Sequence, residues 1–247
     1  MRRSDGRDDG RSAEQLRPLS LTKNVFTHAD GSVLLSIGKT QVLCAVSLVE
    51  GVPVFLRGKG EGWLTAEYAL LPASTAVRTP RDQLLGKRNG RSVEISRLIG
   101  RALRCVVNLK QLGEFTITID CDVLNADGGT RCAAICGAQA ALNLAVSRWL
   151  EADIIKQSIL TAQLGAISVG VQDTIILLDL TAQEDNTIDS DFNFVLTSDN
   201  HIIEVQGTAE QKVISWSKFE AMRKLATHGI EQLCAFIEQE TNPLIGS

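Results

Sequence analysis

Residues 130–150 read Thr-Arg-Cys-Ala-Ala-Ile-Cys-Gly-Ala-Gln-Ala-Ala-Leu-Asn-Leu-Ala-Val-Ser-Arg-Trp-Leu, an alanine-rich run at helical length that is apolar almost all the way round. A helix without a polar face has to be wrapped in protein, so the rest of the chain must supply layers to cover it. Its charge-free stretch, Ala133 to Ser147, is too short to span a bilayer and carries Gln139 and Asn143, which disfavours a membrane role. The remainder is sufficient for the covering task. At 247 residues and 44% hydrophobic side chains, the chain can form one large domain or two fused half-domains around a substantial core.

The residues leading into this helix alternate. Ile117, Ile119, Cys121 and Val123 fall on one side and Thr116, Thr118, Asp120 and Asp122 on the other, which is strand periodicity. Asp127-Gly128-Gly129 stops the strand, and Thr130-Arg131 begins the helix. Paired glycines let a backbone turn tightly and approach a ligand, and a helix start adds N–H groups and a positive dipole end. Arg131 adds a planar fork of donors suited to an oxyanion. The same residues also fit a purely structural turn in which Thr130 is an ordinary helix cap.

Elsewhere the periodicities predict a hairpin from Gly31–Gly38 and Thr40–Val46, and strands over 166–171, 175–180, 193–197 and 202–205. An amphipathic helix is predicted over 92–107. It buries Ile95, Leu98, Ile99, Ala102, Leu103 and Val106 and turns Glu94, Arg97, Arg101 and Arg104 outward. A last amphipathic helix runs from about Ser217 to Glu238. The opening residues lack apolar periodicity and read as a flexible arm, and the polar stretch from Pro72 to Gly90 reads as a long basic loop. Strands and helices given twice point to an α/β or α+β domain of two related halves, without a sequence repeat of fixed period.

Two charged groupings carry chemistry. Glu184, Asp185, Asp189 and Asp191 form an acidic cluster with no histidine or cysteine beside it, a donor set for a hard cation such as Mg²⁺. Alternation through Asp191-Phe192-Asn193-Phe194 would aim Asp191 and Asn193 at one face and the phenylalanines at the other. The basic grouping comprises Arg78, Arg81, Lys87, Arg88 and Arg91, continuing into Arg97, Arg101 and Arg104. Without interleaved aromatics it suits phosphate backbone contact rather than base stacking, though a solvated helix face or salt bridges to a partner subunit would use the same helix arginines. The net charge of −4 conceals this division: residues 57–104 sum to +6 and residues 105–247 to −11. A basic region joined to an acidic one fits a protein that grips a polyanion with one surface and a divalent cation with another.

Six cysteines are too few for a disulfide scaffold and sit mostly in apolar patterns, so reduced, buried thiols are expected. Cys132 and Cys136 lack the spacing and the nearby histidine of a zinc site. The N-terminus has no apolar run of a secretory signal, which makes the cytoplasm the expected compartment. With three histidines and no triad-like arrangement, a triad hydrolase is disfavoured.

These pieces resemble ribonuclease PH in order and wording, from Arg7 to about Ile230. The matching segments include Arg7-Asp8-Asp9-Gly10-Arg11, Leu16-Arg17-Pro18, Gly60 through Tyr68, Gly90 through Ile95, Ala126 through Arg131, Asp191-Phe192-Asn193 and Glu204 through Glu210. The resemblance implies an α+β (mixed α/β) fold: one ribonuclease PH-type domain of two β-α-β-like halves, with mixed sheets and buried central helices. Residues 1–14 would be a flexible arm, 15–155 the first half with the phosphate-binding turn, 156–240 the second half with the carboxylates and the C-terminal helix, and 241–247 a tail. It also implies a homo-hexamer built as a trimer of dimers, and inorganic phosphate as the attacking co-substrate on the 3′ ends of RNA such as tRNA precursors. Position by position, Arg91, Gly129, Thr130 and Arg131 match phosphate-binding residues. Asp185 and Asp191 match carboxylates that hold Mg²⁺ (or Mn²⁺) and support catalysis, and Arg78 and Arg81 match RNA-binding loop residues, to which the helix face adds Arg97 and Arg101. Ala73 and Ala182 depart from the usual Arg and Tyr, which bears on RNA grip or ring contacts and leaves the phosphate and metal positions intact. The alternative is a catalytically silent ring subunit of the same fold that only binds RNA; retention of Arg91, Arg131, Asp185 and Asp191 argues against it.

Overall fold

In the computed structural model, which describes residues 7–81, 86, 89–242 and 245–246, the alternating segment becomes β5 (Phe115–Asn125). It lies between β3 (Thr40–Glu50), to which it is antiparallel, and β4 (Trp63–Leu70), to which it is parallel. The hairpin forms as expected: β2 (Gly31–Ile37) pairs with β3, and β1 (Leu19–Lys23) adds at the outer edge, giving the order β1-β2-β3-β5-β4. A second sheet, β7-β6-β8-β9, is antiparallel throughout and comprises β6 (Leu164–Gln172), β7 (Ile175–Leu178), β8 (Ser190–Thr197) and β9 (Ile202–Ala209). Neither β1 nor β4 follows from periodicity alone. In β4, Leu64, Ala66 and Tyr68 are buried, but Ala66 and Tyr68 weaken the apolar contrast on which alternation depends.

The apolar helix is α3 (Thr130–Glu151), and it is wrapped as its composition requires. It packs on β2, β3 and β5 of the first sheet and on β6 of the second, with Ile135, Ala138, Leu142 and Trp149 fully buried. Of the other α-helices, α1 (Gly90–Arg104) packs on β4, and α5 (Trp216–Thr241) packs on β6, β7 and β8; the short α2 (Leu109–Leu112) and α4 (Ala182–Asp185), with a 3-10 turn at Val54–Leu56, complete the helical set among the described residues. In α1 the apolar stripe is buried as the spacing predicts, Ile95, Leu98, Ile99, Ala102 and Leu103 all facing inward. The polar residues within α3 find one another. Asn143 is the centre of a buried network, bonded to Gln139, Gln163 and Thr241, the last of which anchors the end of α5.

Close approach of α3 to the first sheet has a specific requirement at Gly31. A Cβ there would run into the Ala141 carbonyl and the backbone N of Ala145. Backbone cannot yield as a side chain tip can, and overpacking of this kind typically costs about 1–3 kcal/mol. Gly31→Ala should therefore lower the melting temperature by roughly 5–10 °C, read by circular dichroism at 222 nm.

The N-terminal segment differs from the flexible arm expected over residues 1–14. Residues 1–6 lie outside the described residues, but from Arg7 the chain is held down. Arg7 pairs with Glu184 and donates to the carbonyls of Leu178 and Asp179, Arg11 donates to the Asp179 carbonyl, and Arg11 is 6% exposed. The segment looks like a free polar arm in sequence because the partners that anchor it to the second half lie more than 160 residues downstream. Of the basic loop at 72–90, residues 72–81 form no helix or strand, and Lys87 and Arg88 lie outside the described residues.

Candidate active site

The Gly-Gly turn depends on left-handed backbone, with φ of 79° at Gly128 and 63° at Gly129, a region that disfavours side chains. Gly129, not Thr130, occupies the cap position of α3, so no side chain caps the first N–H groups of the helix. Thr130 is the first helical residue, and its hydroxyl accepts a 2.9 Å hydrogen bond from the Tyr68 phenol. Burial raises the Tyr68 pKa, against the lowering influence of Thr130, Arg91 and Arg131, so the phenol keeps its proton. The turn's carbonyls are engaged behind it. Thr40 donates to Gly128 O at 2.7 Å and accepts from the Asp127 N–H at 3.0 Å, while Arg17 donates to Asp127 O at 2.6 Å.

The turn opens on a cavity of about 630 Å³ between the two halves. From the first half come Arg91, in the first turn of α1, and Gly129, Thr130 and Arg131; from the second come Asp185, Asp191 and Gln206. Six residues singled out from the sequence thus line one concavity. Arg131 is aimed by two neighbours the sequence reading overlooked as site residues. Its Nη1 donates to Gln206 Oε1 at 2.8 Å, and it stands 3.6 Å from Glu94 Oε1. Nothing local in α1 or β9 distinguishes Glu94 or Gln206 from other polar surface residues: Glu94 is brought to Arg131 by the placement of α1 beside the start of α3 within the first half, and Gln206 by the juxtaposition of the two halves.

The acidic cluster divides. Glu184 pairs with Arg7 and closes a capping box with Thr181, which starts α4 and so places Asp185 one residue further on. That Thr181-x-x-Glu184 pattern is the signal that could have revealed α4 in advance. Asp189 pairs with Lys212 and accepts from the Asp173 N–H. Of the cluster, only Asp185 and Asp191 line the cavity, together with Glu210 from beyond β9. The alternation in β8 holds: Asn193 donates to Asp191 Oδ2 at 3.2 Å, while Phe192 and Phe194 both pack on Phe219.

Desolvation, reinforced by Asp185, lifts the Asp191 pKa from 3.8 to about 6, against the lowering pull of Arg131 and Asn193. The Asp185 pKa is likewise raised, by burial and Glu210. Asp191 Oδ1 is fully buried without a hydrogen-bond partner. An orphaned carboxylate oxygen beside a second desolvated carboxylate is the electrostatic situation that a bound cation relieves. Among the described residues no three His, Cys, Asp or Glu side chains converge as a metal cage. The two-carboxylate donor set therefore fits an ion that keeps most of its water, as Mg²⁺ does.

The four residues expected to contact RNA lie apart from this cavity. Arg78, Arg81 and Arg97 are exposed, and Arg81 lines a separate cavity of about 700 Å³ with Asp122. Arg101 makes a two-bond fork with Glu204, at 2.8 and 2.7 Å, and thereby ties α1 to β9. Arg104 stacks over Trp63, 4.7 Å from the ring centroid. All six cysteines are unpaired, five of them buried, and among the described residues no helix is long and apolar enough to cross a membrane.

Fold and cavity define a mixed α+β protein whose two halves close on a pocket of paired arginines and paired carboxylates. The chain belongs to the 3′ exoribonuclease family: the family's domain 1 matches residues 15–147, and its domain 2 matches residues 162–229. Among solved structures, rice (Oryza sativa) Rrp46 superposes with a TM-score of 0.77 at 21% identity over 95% of this chain and 100% of that one. The Archaeoglobus fulgidus exosome with RNA bound to the active site gives 0.78 at 20% identity, covering 92% and 91% of the two chains. An archaeal exosome core gives 0.75 at 19%, covering 94% and 91%. At such identities the likeness concerns the fold.

Proposed function

We propose that this chain is a phosphorolytic 3′→5′ exoribonuclease that trims the 3′ ends of tRNA precursors and other RNA, working as a homo-hexamer in the cytoplasm. The observation that carries the proposal is the single cavity in which Arg91, Arg131 and an uncapped helix start lie beside Asp185 and Asp191. Arginine forks and backbone N–H groups bind orthophosphate and turn one oxygen toward the last phosphodiester. That oxygen forms a new bond to the phosphorus as the bond to the departing 3′ oxygen breaks. A nucleoside diphosphate leaves, the proton given up by the attacking hydrogen phosphate balances the one taken up by the departing oxygen, and the RNA ends in a free 3′ hydroxyl one nucleotide shorter. Because a phosphodiester is exchanged for a phosphoanhydride, the reaction also runs in reverse from nucleoside diphosphates. Asp185 and Asp191 would hold Mg²⁺ or Mn²⁺, which when bound supplies positive charge for the reacting phosphoryl oxygens. Unpaired thiols suit a reducing compartment.

The test is incubation of 3′-extended tRNA with Mg²⁺, with and without inorganic phosphate. Nucleoside diphosphates should appear only with phosphate. Monophosphate release independent of phosphate would overturn the reading, and binding without turnover would favour the silent ring subunit.

RNA contact is assigned to Arg78, Arg81 and Arg97, with Arg101 contributing the part of its guanidinium not held by Glu204. Affinity for single-stranded RNA should fall with salt at about −0.7 in log K per log salt for each phosphate contacted. Filter binding at several salt concentrations measures that slope, and a flat response would reject this surface.

A further inference from the structure

The phosphate-binding turn and the carboxylates belong to different halves of the chain, so their separation has to be set by something that touches both. Arg17 does. It is 4% exposed. One edge of its guanidinium grips Asp179, with Nε to Oδ2 at 2.9 Å and Nη2 to Oδ1 at 2.6 Å, and its backbone N–H also donates to Oδ2 at 2.9 Å. The other edge reaches the turn: Nη1 donates to Asp127 O at 2.6 Å and to Thr40 Oγ1 at 3.3 Å, and Nη2 lies 3.4 Å from Gly128 O.

Asp179 is itself locked. Its backbone is left-handed, with φ of 55°, and Arg7 and Arg11 both donate to its carbonyl, at 2.8 and 3.2 Å. Three residues on, α4 begins and carries Asp185. The turn and this segment are already in contact, since a Cβ at Gly128 would meet the carbonyl of Leu180 and the backbone of Thr181 and Ala182. A buried ion pair is weak evidence for stability, because an apolar pair can replace it at little or no loss. An apolar pair could not hold the turn's two carbonyls, nor could a lysine, whose point charge lacks the planar fork.

We infer that Arg17 is a positioning residue, which sets the distance between the bound phosphate and the Asp185 and Asp191 carboxylates by bracing the turn against Asp179. The inference rests on the proposed reading of the cavity.

Its test uses the full chain as wild type, Arg17→Lys and Thr40→Val. The second variant leaves the Asp179 pair intact and removes only the hydroxyl behind the turn. Orthophosphate binding is measured by titration calorimetry, and KM for phosphate, kcat and RNA affinity are measured on 3′-extended tRNA with Mg²⁺. Arg17→Lys should weaken phosphate binding and raise its KM by roughly 10- to 100-fold, the scale of a misplacement near 1 Å, with RNA affinity within about twofold of wild type. Thr40→Val should move the same quantities in the same direction by less. A folded Arg17→Lys protein with wild-type phosphate affinity and KM overturns the inference, because a merely structural pair would change the melting temperature alone. Should Arg17→Lys not fold, an unchanged phosphate affinity in Thr40→Val overturns it instead. Absence of orthophosphate binding by the wild type would defeat the reading of the cavity and the inference with it, an outcome distinct from either variant result.

Discussion

Replacing Arg131 with alanine is expected to lower phosphorolytic turnover by about 10²- to 10³-fold, the usual loss when one preorganised charge donor leaves a site. The side chain lines the cavity at the start of α3, where Gln206 and Glu94 aim it, whereas Arg91 enters the same cavity from α1 and so approaches a bound anion from a different element. RNA affinity should stay within about twofold of wild type, since the residues assigned to RNA contact lie elsewhere. Single-turnover kinetics at saturating phosphate separate the two effects. A parallel fall in RNA affinity would place Arg131 in the RNA surface instead.

Asp191→Asn should move activity and stability in opposite directions. Activity should drop by about 10²-fold or more, because the change removes one of the two carboxylates assigned to hold the cation. Stability should rise. With its pKa lifted from 3.8 to about 6, Asp191 binds its proton more tightly folded than unfolded, so folding stability falls as pH rises between those values and stays lowered above them. At neutral pH, without divalent cation, ionising Asp191 costs at most about 3 kcal/mol. The asparagine variant should then melt roughly 5–10 °C higher at pH 7.5 in chelator, with the difference gone by about pH 3, below both values, where Asp191 is neutral folded and unfolded. Differential scanning calorimetry at the two pH values checks the sign; a lower melting temperature at pH 7.5 would mean that Asp191 is stabilised by its surroundings rather than strained by them.

Much of this was legible before the structure because it depends on local pattern. The all-round apolar character of residues 130–150 required a central helix, and α3 packs on both sheets. Alternation at 116–123 and the stripe in residues 95–103 carry their own periodicity, and β5 and α1 follow. The glycine turn and Asp191 were legible for the same reason, since each is defined by its immediate neighbours. What escaped were features made by distant partners. Arg7, Arg11 and Arg17 look like solvated charge in sequence, yet the carboxylate that fixes Arg17 lies 162 residues away. Within the acidic cluster, pattern and resemblance single out Asp185 and Asp191, but the partners that take up the other two, Arg7 for Glu184 and Lys212 for Asp189, emerge only in the fold. Arg101 likewise read as an outward-facing cation until β9 brought Glu204 against it.

If the pocket delivers orthophosphate, not water, to the terminal phosphodiester, then [³²P]orthophosphate supplied with 3′-extended tRNA and Mg²⁺ should label the β-phosphate of the released nucleoside diphosphates, at one label per nucleotide removed and dependent on Arg131. Shortened RNA accompanied by unlabelled nucleotides would show that water, not orthophosphate, cleaves the bond.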